Sequence, residues 1–562
     1  MNRRHLLSIL ALLPALTVWA AQPTAEEAAQ IEAACPTTAQ VRPKAPRRVL
    51  VFSRNEGFDH TAIGVGALAI DTLGRKTGAF SATHSTDLAV FSTDNLRPYD
   101  AIVFNNGYGF KLADAKARAA LLAFVRGGKG VIGIHAASAN FEGWPEGSEL
   151  FGARFHSHPW TPVKPWAVRN EQPKHPLNEA FAGKGFSLTD EIYTFTDFRR
   201  DRVRVLLSLD LSDADTGGVA HPHPYVPISW IYPLGQGRAF FASLGHQHED
   251  FWNPAYLRHL LAGIQYALGD LAAPDSPDAA AVARLISSTN AAEARDSKET
   301  LDRLTSTRAE RAAAETVLLE ALAKAAPGNA MADLTDSLSH VASDASVPTL
   351  AAWCLNPERS HAARRVLQRM GTAAARVALR DGLAKARGGA LAAGLASSLA
   401  DLRDGPAVPL VKPLLLSDDP MVVQAGLLAL GRLAGPVAAQ ALLDAKVPSA
   451  LAPALDDAMV SCAAALAAAG SRAEAEAVYA ALAAAERPAQ ARVAGLQGLV
   501  MLGSSRAVGL MGSYLDSGDP RLAMGAARLV DRVASEVVVG RALAAYPSLP
   551  TTVQAPLLAA LG

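Results

Sequence analysis

In the first half of the chain the apolar residues fall into short unbroken runs, and in the second half into a spacing of three and four residues, so the pattern predicts two different architectures. The runs are Arg48 to Ser53, Ala79 to Thr83, Tyr99 to Asn106, Val131 to Ile134, Val203 to Leu209 and Gly237 to Leu244. Segments of helical spacing lie between them at Thr61 to Gly74 and Ala115 to Arg126, and Tyr256 to Leu268 closes the region. Strands alternating with helices mean βαβ units, hence an α/β domain with a doubly wound, mostly parallel sheet over 48–270.

The run Val131 to Ile134 follows Gly127-Gly128-Lys129-Gly130 and ends at His135, with Ala136-Ala137-Ser138 after it. Small residues let the backbone turn sharply there, and side chains at the carboxyl ends of parallel strands face the ligand crevice. His135 is therefore the centre of the candidate site. From Ser138 to Asp201 the pattern loosens into a histidine- and tryptophan-rich stretch, the kind of long excursion that carries sites more often than cores.

After Ala272 to Pro277 the chain becomes rich in alanine and leucine. Ala407-Val408-Pro409-Leu410 with Asp419-Pro420 recurs as Ala507-Val508-Gly509-Leu510 with Asp519-Pro520, and more weakly as Ser346 to Leu350 with Asn356-Pro357. The first two copies are separated by three units of roughly 33 residues, a period of helical solenoids. Asp-Pro suits a helix start, with aspartate as cap and proline in the first turn. Residues 330–562 are read as an all-α solenoid resembling HEAT repeats, joined to the first domain by a helical connector over 271–329.

With 562 residues the chain is too long for one core, and a formal net charge of zero gives no field for a polyanion, so no nucleic-acid partner is expected. Residues 1–20 read as an export signal: Arg3 and Arg4, then an apolar run from Leu6 to Val18, then Val18-Trp19-Ala20. An exported, periplasmic protein with a linker over 21–47 is expected, and no later stretch is read as a membrane span. Three widely separated cysteines, Cys35, Cys354 and Cys462, argue against a disulfide framework and read as packing, with Cys35 a candidate exposed thiol.

Ordered pieces across the first domain then carry a resemblance: Gly57-Phe58-Asp59-His60, Tyr99-Asp100 with Asn105-Asn106, Gly133 to Ala137, and Phe155 through His158-Pro159. These continue with His175-Pro176, Asp190-Glu191-Ile192-Tyr193, Ile228-Ser229-Trp230, Gly235 to Arg238 and Leu244-Gly245-His246. The domain resembles the ThuA-like (trehalose-utilisation) family, which implies a flavodoxin-like fold related to class I glutamine amidotransferases. Asp59 stands where the family pattern has an arginine. His135 occupies the turn that holds the amidotransferases' nucleophilic cysteine, and the domain has no cysteine at all, so glutaminase chemistry is excluded.

His60, His135, His158 and His246 form a candidate ligand set for zinc or a similar divalent ion, with Glu191 as a carboxylate beside them. Their spacing follows no metal signature such as H-E-x-x-H, and hydrogen bonding to sugar hydroxyls is the competing reading. His135, Glu191 and His60 are the candidate catalytic residues. Asn105, Asn106, Trp230, Tyr193 and Arg238 are candidate substrate contacts, with Trp144, Trp160 and Trp230 available to stack on sugars. For His175, His221 and His223, beside prolines, a structural role is expected. His248 and Glu249 fall one layer out.

The resemblance implies an exported enzyme acting on glycosides or 3-keto-glycosides, as a hydrolase or lyase, with no nucleotide cofactor. The rival expectation is a non-catalytic carbohydrate-binding module joined to a HEAT-repeat scaffold. A protein partner on the solenoid's concave face accompanies either reading.

Overall fold

A computed structural model describes residues 22–562 except Arg387 and Ala534, so the expected export signal lies outside the described residues. The chain divides between Val317 and Leu318 into two units.

The first unit is built on strands β1 (Arg48–Phe52), β2 (Ser81–Ser85), β3 (Ala101–Asn105), β4 (Gly130–Ile134), β5 (Arg154–Trp160), β6 (Trp166–Asn170), β7 (Phe186–Leu188), β8 (Ile192–Thr196), β9 (Arg204–Leu209), β10 (Pro227–Leu234) and β11 (Gly237–Ala242). Nine of them form one sheet in the order β2-β1-β3-β4-β11-β10-β9-β6-β7, while β5 and β8 pair separately. β2, β1, β3, β4 and β11 run parallel, in the strand order of flavodoxin-like sheets. From β10 onward every pairing is antiparallel. The central sheet is thus mixed: its antiparallel extension takes β6 and β7 from the excursion that the sequence showed as loop, β9 from the expected run Val203 to Leu209, and β10 from a stretch where no strand was expected.

The parallel strands read as unbroken apolar runs because both faces are covered. Val49, Val51, Val103, Ile132 and Ile134 point into one core, shared with the helices α1 (Ala25–Ala34), α2 (Ala62–Thr77) and a later one at Pro254–Ala267. Leu50, Phe52, Ile102, Phe104 and Val131 point into the other, shared with α3 (Ala115–Arg126). Asp114 caps α3 by accepting from the Lys116 amide, which sets the helix start where the periodicity placed it. Pro254–Ala267, here α4, is capped by Asn253 and begins at its proline.

The stretch ahead of β1 is fastened to the domain: Gln265 Oε1 accepts from the Gln40 amide at 2.9 Å, and Arg47 pairs with Asp270 at 2.6 Å. Beyond α4, helices α5 (Ala279–Arg284) and α6 (Ala291–Leu304) also bond to the sheet's antiparallel half. Asp278 caps α5 and accepts from Gln172 Nε2 at 2.9 Å, and the fully buried Glu293 of α6 accepts from Arg169 Nη1 at 2.8 Å. All three cysteines are buried and unpaired, so Cys35 is not the exposed thiol its position suggested.

Among the described residues no strand follows β11, and the second unit is helical throughout. Helices α7 (Ser360–Met370), α8 (Gly389–Asp401), α9 (Pro420–Leu433), α10 (Ala452–Ala468), α11 (Ala489–Met501) and α12 (Pro520–Ala527) each pack on the next. Asp419 and Asp519 cap α9 and α12 with proline following, as the repeat implied. The weaker copy does not start a helix: Asn356 caps a turn ahead of α7. Ser449–Ala468 is long and apolar enough to cross a membrane, against the expectation of no such stretch, and Leu455, Met459, Cys462 and Leu466 of it are buried inside this helical unit.

If α6 is an integral part of the first unit, Glu293→Ala strands Arg169 with only Asp210 and lowers stability by about 3 kcal/mol in urea unfolding. A change below about 0.5 kcal/mol would show that α6 is merely apposed.

Candidate metal centre

β4 and β11 lie side by side in the sheet, so the turns that follow them meet. His135 begins the turn after β4 at a φ of 45°, a left-handed conformation that costs a non-glycine residue on the order of 1 kcal/mol and that thrusts its side chain out of the strand direction. Its Nδ1 lies 2.7 Å from the Ser243 carbonyl oxygen. A carbonyl can only accept, so Nδ1 carries the proton and Nε2 presents a lone pair to the crevice.

That lone pair faces three other donors. His246 Nδ1 stands 3.3 Å from His135 Nε2, and Glu191 Oε1 lies 3.8 Å from His135 Nε2 and 3.7 Å from His246 Nδ1. The His60 ring, from the loop after β1, has its centroid 5.1 Å from that of His135 and 5.4 Å from that of His246. One ligand atom from each of His60, His135, Glu191 and His246 falls within 4.8 Å of all the others. Two donors bound at about 2.1 Å to one tetrahedral ion stand about 3.4 Å apart, so the His135–His246 separation already suits a shared divalent cation and Glu191 needs only a small closure.

Burial sets the protonation of this group. It pushes His60 down to about 4, His135 well below the ordinary histidine range, and His246 down as well. The imidazoles are therefore neutral near pH 7, the form that can ligate a metal. Burial pushes Glu191 up.

Beneath them lies a pair of buried acids. Asp190 accepts from the amides of Gly245, Glu191 and Gln247 at 2.9, 2.8 and 3.2 Å, and Asp250 accepts from Gly245 at 3.1 Å. Burial pushes Asp190 up to about 6, and burial together with the Asp190 charge raises Asp250. The two carboxyls clamp the Glu191 and His246 backbones into one unit. Gly245, at φ 120°, is required at the pinch because a Cβ would lie 3.1 Å from Ile134 Cγ2. His248 is one layer out, as expected, with Nδ1 2.6 Å from Glu27 Oε1 of α1 and Nε2 3.0 Å from Thr61 Oγ1.

Residues 48–267 match the family model described as ThuA, trehalose utilisation. This ThuA-like domain is similar to a ThuA-like protein from Bacteroides uniformis, at 22% identity over 40% of this chain and 93% of that one, with a TM-score of 0.34. A second ThuA-like protein, from Parabacteroides merdae, shares 16% identity over 40% of this chain and 92% of its own, with a TM-score of 0.31. β-Galactosidase from Bacillus circulans sp. alkalophilus shares 12% identity over 41% of this chain and 32% of its own, with a TM-score of 0.27. No curated protein matches the chain.

Within the ThuA-like domain the other expected site residues are redistributed. His158, half exposed, stays outside the tight group with Nδ1 3.6 Å from Glu191 Oε2, so Glu191 takes the fourth place that the sequence gave to His158. Asn105 and Asn106 are fully buried and cannot meet a substrate; Asn105 Nδ2 donates to the Ile63 carbonyl, and Asn106 Nδ2 donates to the Gly245 carbonyl, steadying the His246 turn. Tyr193 is also buried, its ring centroid 4.1 Å from that of His135 and its hydroxyl 3.4 Å from His60 Nε2, so it supports imidazoles instead of contacting ligand. Trp230 is fully buried, stacked on Phe241 and donating to the Phe151 carbonyl. Trp144 and Trp160 are buried too, which removes all three tryptophans as sugar platforms. Arg238 pairs in register with Gly130 at the start of β4, the sheet end opposite His135. His175 is structural, its Nε2 2.9 Å from the Pro274 carbonyl.

Sequence reasoning missed Asp250, Tyr108, and the parts played by Phe58 and Phe155. Phe58 meets the His60 ring edge-on at 4.9 Å, Tyr108 lies 6.1 Å from His60, and Phe155 packs on Tyr193 at 4.3 Å. Phe58 and Phe155 stand inside quoted motif pieces, two and three residues from a histidine, and only that adjacency could have marked them.

Asp190→Ala frees the Glu191 and Gln247 amides, leaves Gly245 only Asp250, and is expected to lower stability by about 2–4 kcal/mol in urea unfolding, whereas Asp190→Asn keeps an acceptor and costs about half as much. Equal stability of Asp190→Ala and the parent chain would remove the clamp.

Proposed function

We propose that this is an exported carbohydrate-processing enzyme whose ThuA-like domain acts on glycosides or 3-keto-glycosides at a divalent-metal site formed by His60, His135, His246 and Glu191. The observation that carries the reading is the convergence of these four donors, from four separate segments, within 4.8 Å. The family description of residues 48–267, trehalose utilisation, supports the substrate class. An ion held there supplies Lewis acidity toward a sugar oxygen.

Glu191 is suited to two tasks because its oxygens face different ways. Oε1 is turned to His135 and His246, and Oε2 to His158. In a 3-keto-glycoside the carbonyl acidifies the hydrogen on C2. Oε2 takes that proton, the C2–H electron pair forms the C1–C2 double bond, and the C1–O bond breaks with its electrons on the aglycone oxygen. The departing alkoxide takes a proton from His158 or solvent. Burial, which raises Glu191, makes its carboxylate a stronger base than an exposed one.

The export reading rests on Arg3, Arg4 and the apolar run from Leu6 to Val18, and places the protein in the periplasm of a two-membrane host. The helical unit is read as a HEAT-like solenoid offering a surface to a protein partner. Support comes from α7 to α12 packing each on the next, with starts about 30 residues apart.

Zinc titrated into metal-free protein is expected to bind with one-to-one stoichiometry in calorimetry, and His135→Ala to weaken it by about a hundredfold or more. A chelator should abolish release of aglycone from a 3-keto-glucoside, and added zinc should restore it. Turnover indifferent to chelation sinks the metal reading; sugar binding with no turnover under any metal leaves a carbohydrate-binding module.

A further inference from the structure

Phe58 and Val163 are the large apolar side chains left exposed in the first unit among its described residues, and Phe58 is 62% exposed although it touches the buried His60 ring. Leaving a phenyl ring in water beside a polar cluster forgoes burial worth about 2 kcal/mol, so the exposure needs an explanation.

The loop bearing it is braced. The Glu56 amide donates to the Tyr108 carbonyl at 2.9 Å, the Tyr108 amide donates to Asn55 Oδ1 at 3.0 Å, and the Tyr108 ring packs against Gly57, where a Cβ would come within 2.4 Å of it. The backbone next to Phe58 is therefore fixed, with the Phe58 ring against His60. Across the cluster, the half-buried Phe155 stacks with the His158 ring at 6.1 Å. Aromatic rings thus adjoin the donors at His60 and, through His158 and Tyr193, near Glu191 and His135.

The leading electrostatic influences on His60, His135, His246 and Glu191 are one another, His158, His248 and Asp190, with no lysine or arginine among them. The nearest cation on the Phe58 loop, Arg54, is paired with Glu56, so nothing in the cluster itself attracts a phosphorylated or carboxylated ligand. A neutral pyranose does fit: its axial C–H face is apolar and its equatorial hydroxyls point to polar groups, so an aromatic rim around imidazoles and a carboxylate matches both.

We propose that Phe58, on a loop braced by Tyr108 against Gly57, is a stacking platform that seats the apolar face of a neutral pyranose ring beside the His60, His135, His246 and Glu191 cluster. This deepens the carbohydrate reading above and rests on it for the ligand class, but not on catalysis.

The test measures binding of methyl β-D-glucopyranoside and of the open-chain polyol D-glucitol to the full-length zinc-loaded protein by calorimetry and saturation-transfer NMR. Phe58→Ala is expected to weaken the pyranoside about tenfold and glucitol by less than twofold, with Phe58→Trp within about threefold of the parent and zinc affinity unchanged in both. Equal weakening of the two probes, or none, overturns the platform. A fall in zinc affinity in Phe58→Ala assigns the ring to support of His60 and also overturns it, as does concentration-dependent self-association of the parent chain that Phe58→Ala abolishes. No saturation transfer to the pyranoside in the parent chain ends the platform while one-to-one zinc binding still upholds the metal site; a selective loss in Phe58→Ala, with the parent chain releasing no aglycone from a 3-keto-glucoside, upholds the platform and ends the enzymatic reading.

Discussion

Everything at the candidate centre depends on β11 inserting next to β4. The chain leaves the sheet after His135, builds the whole antiparallel extension, and returns to hydrogen-bond along β4 in parallel, so that residues 111 positions apart bring ring nitrogens to 3.3 Å. The same adjacency places the Ser243 carbonyl where it fixes the His135 tautomer. Remove that pairing and no local preference of either turn would bring the imidazoles together. The desolvation that keeps them neutral follows from the same closure, since it is the packed strand ends that exclude water.

The parallel half of the sheet was legible because its strands are covered on both faces and read as unbroken apolar runs, and α3 because its cap and amphipathic period agree. Of the antiparallel half only β9 was legible, as the run Val203 to Leu209; β6 and β7 were not, since their alternating burial mimics a polar loop. At the site, His60, His135 and His246 were visible as histidines after strand ends, and the chain did gather them. Trp230, Asn105 and Asn106 misled because their chemistry suits a sugar cleft while their depth is decided by tertiary packing, which no spacing encodes. Asp250 escaped notice for the converse reason: an aspartate in a polar stretch looks solvated, and only the folded chain shows it facing Asp190.

The centre is also an economy of backbone contacts. Asp190, Asp250 and Asn106 all bind the Gly245 to Gln247 turn through its main chain, and the Glu191 amide joins the same network. Side chains able to ligate a cation are thus positioned by groups outside the set of four, an arrangement that lets the four hold their geometry without using up their own donor atoms.

The bond between Glu27 and His248 has a practical side. Helix α1 begins three residues after the first described one, and its first turn is moored to His248, two positions along from His246. A polyhistidine tag fused directly ahead of α1 starts close to His248 and competes for any cation the imidazole cluster takes up. Handling the chain by its opposite terminus avoids that contamination.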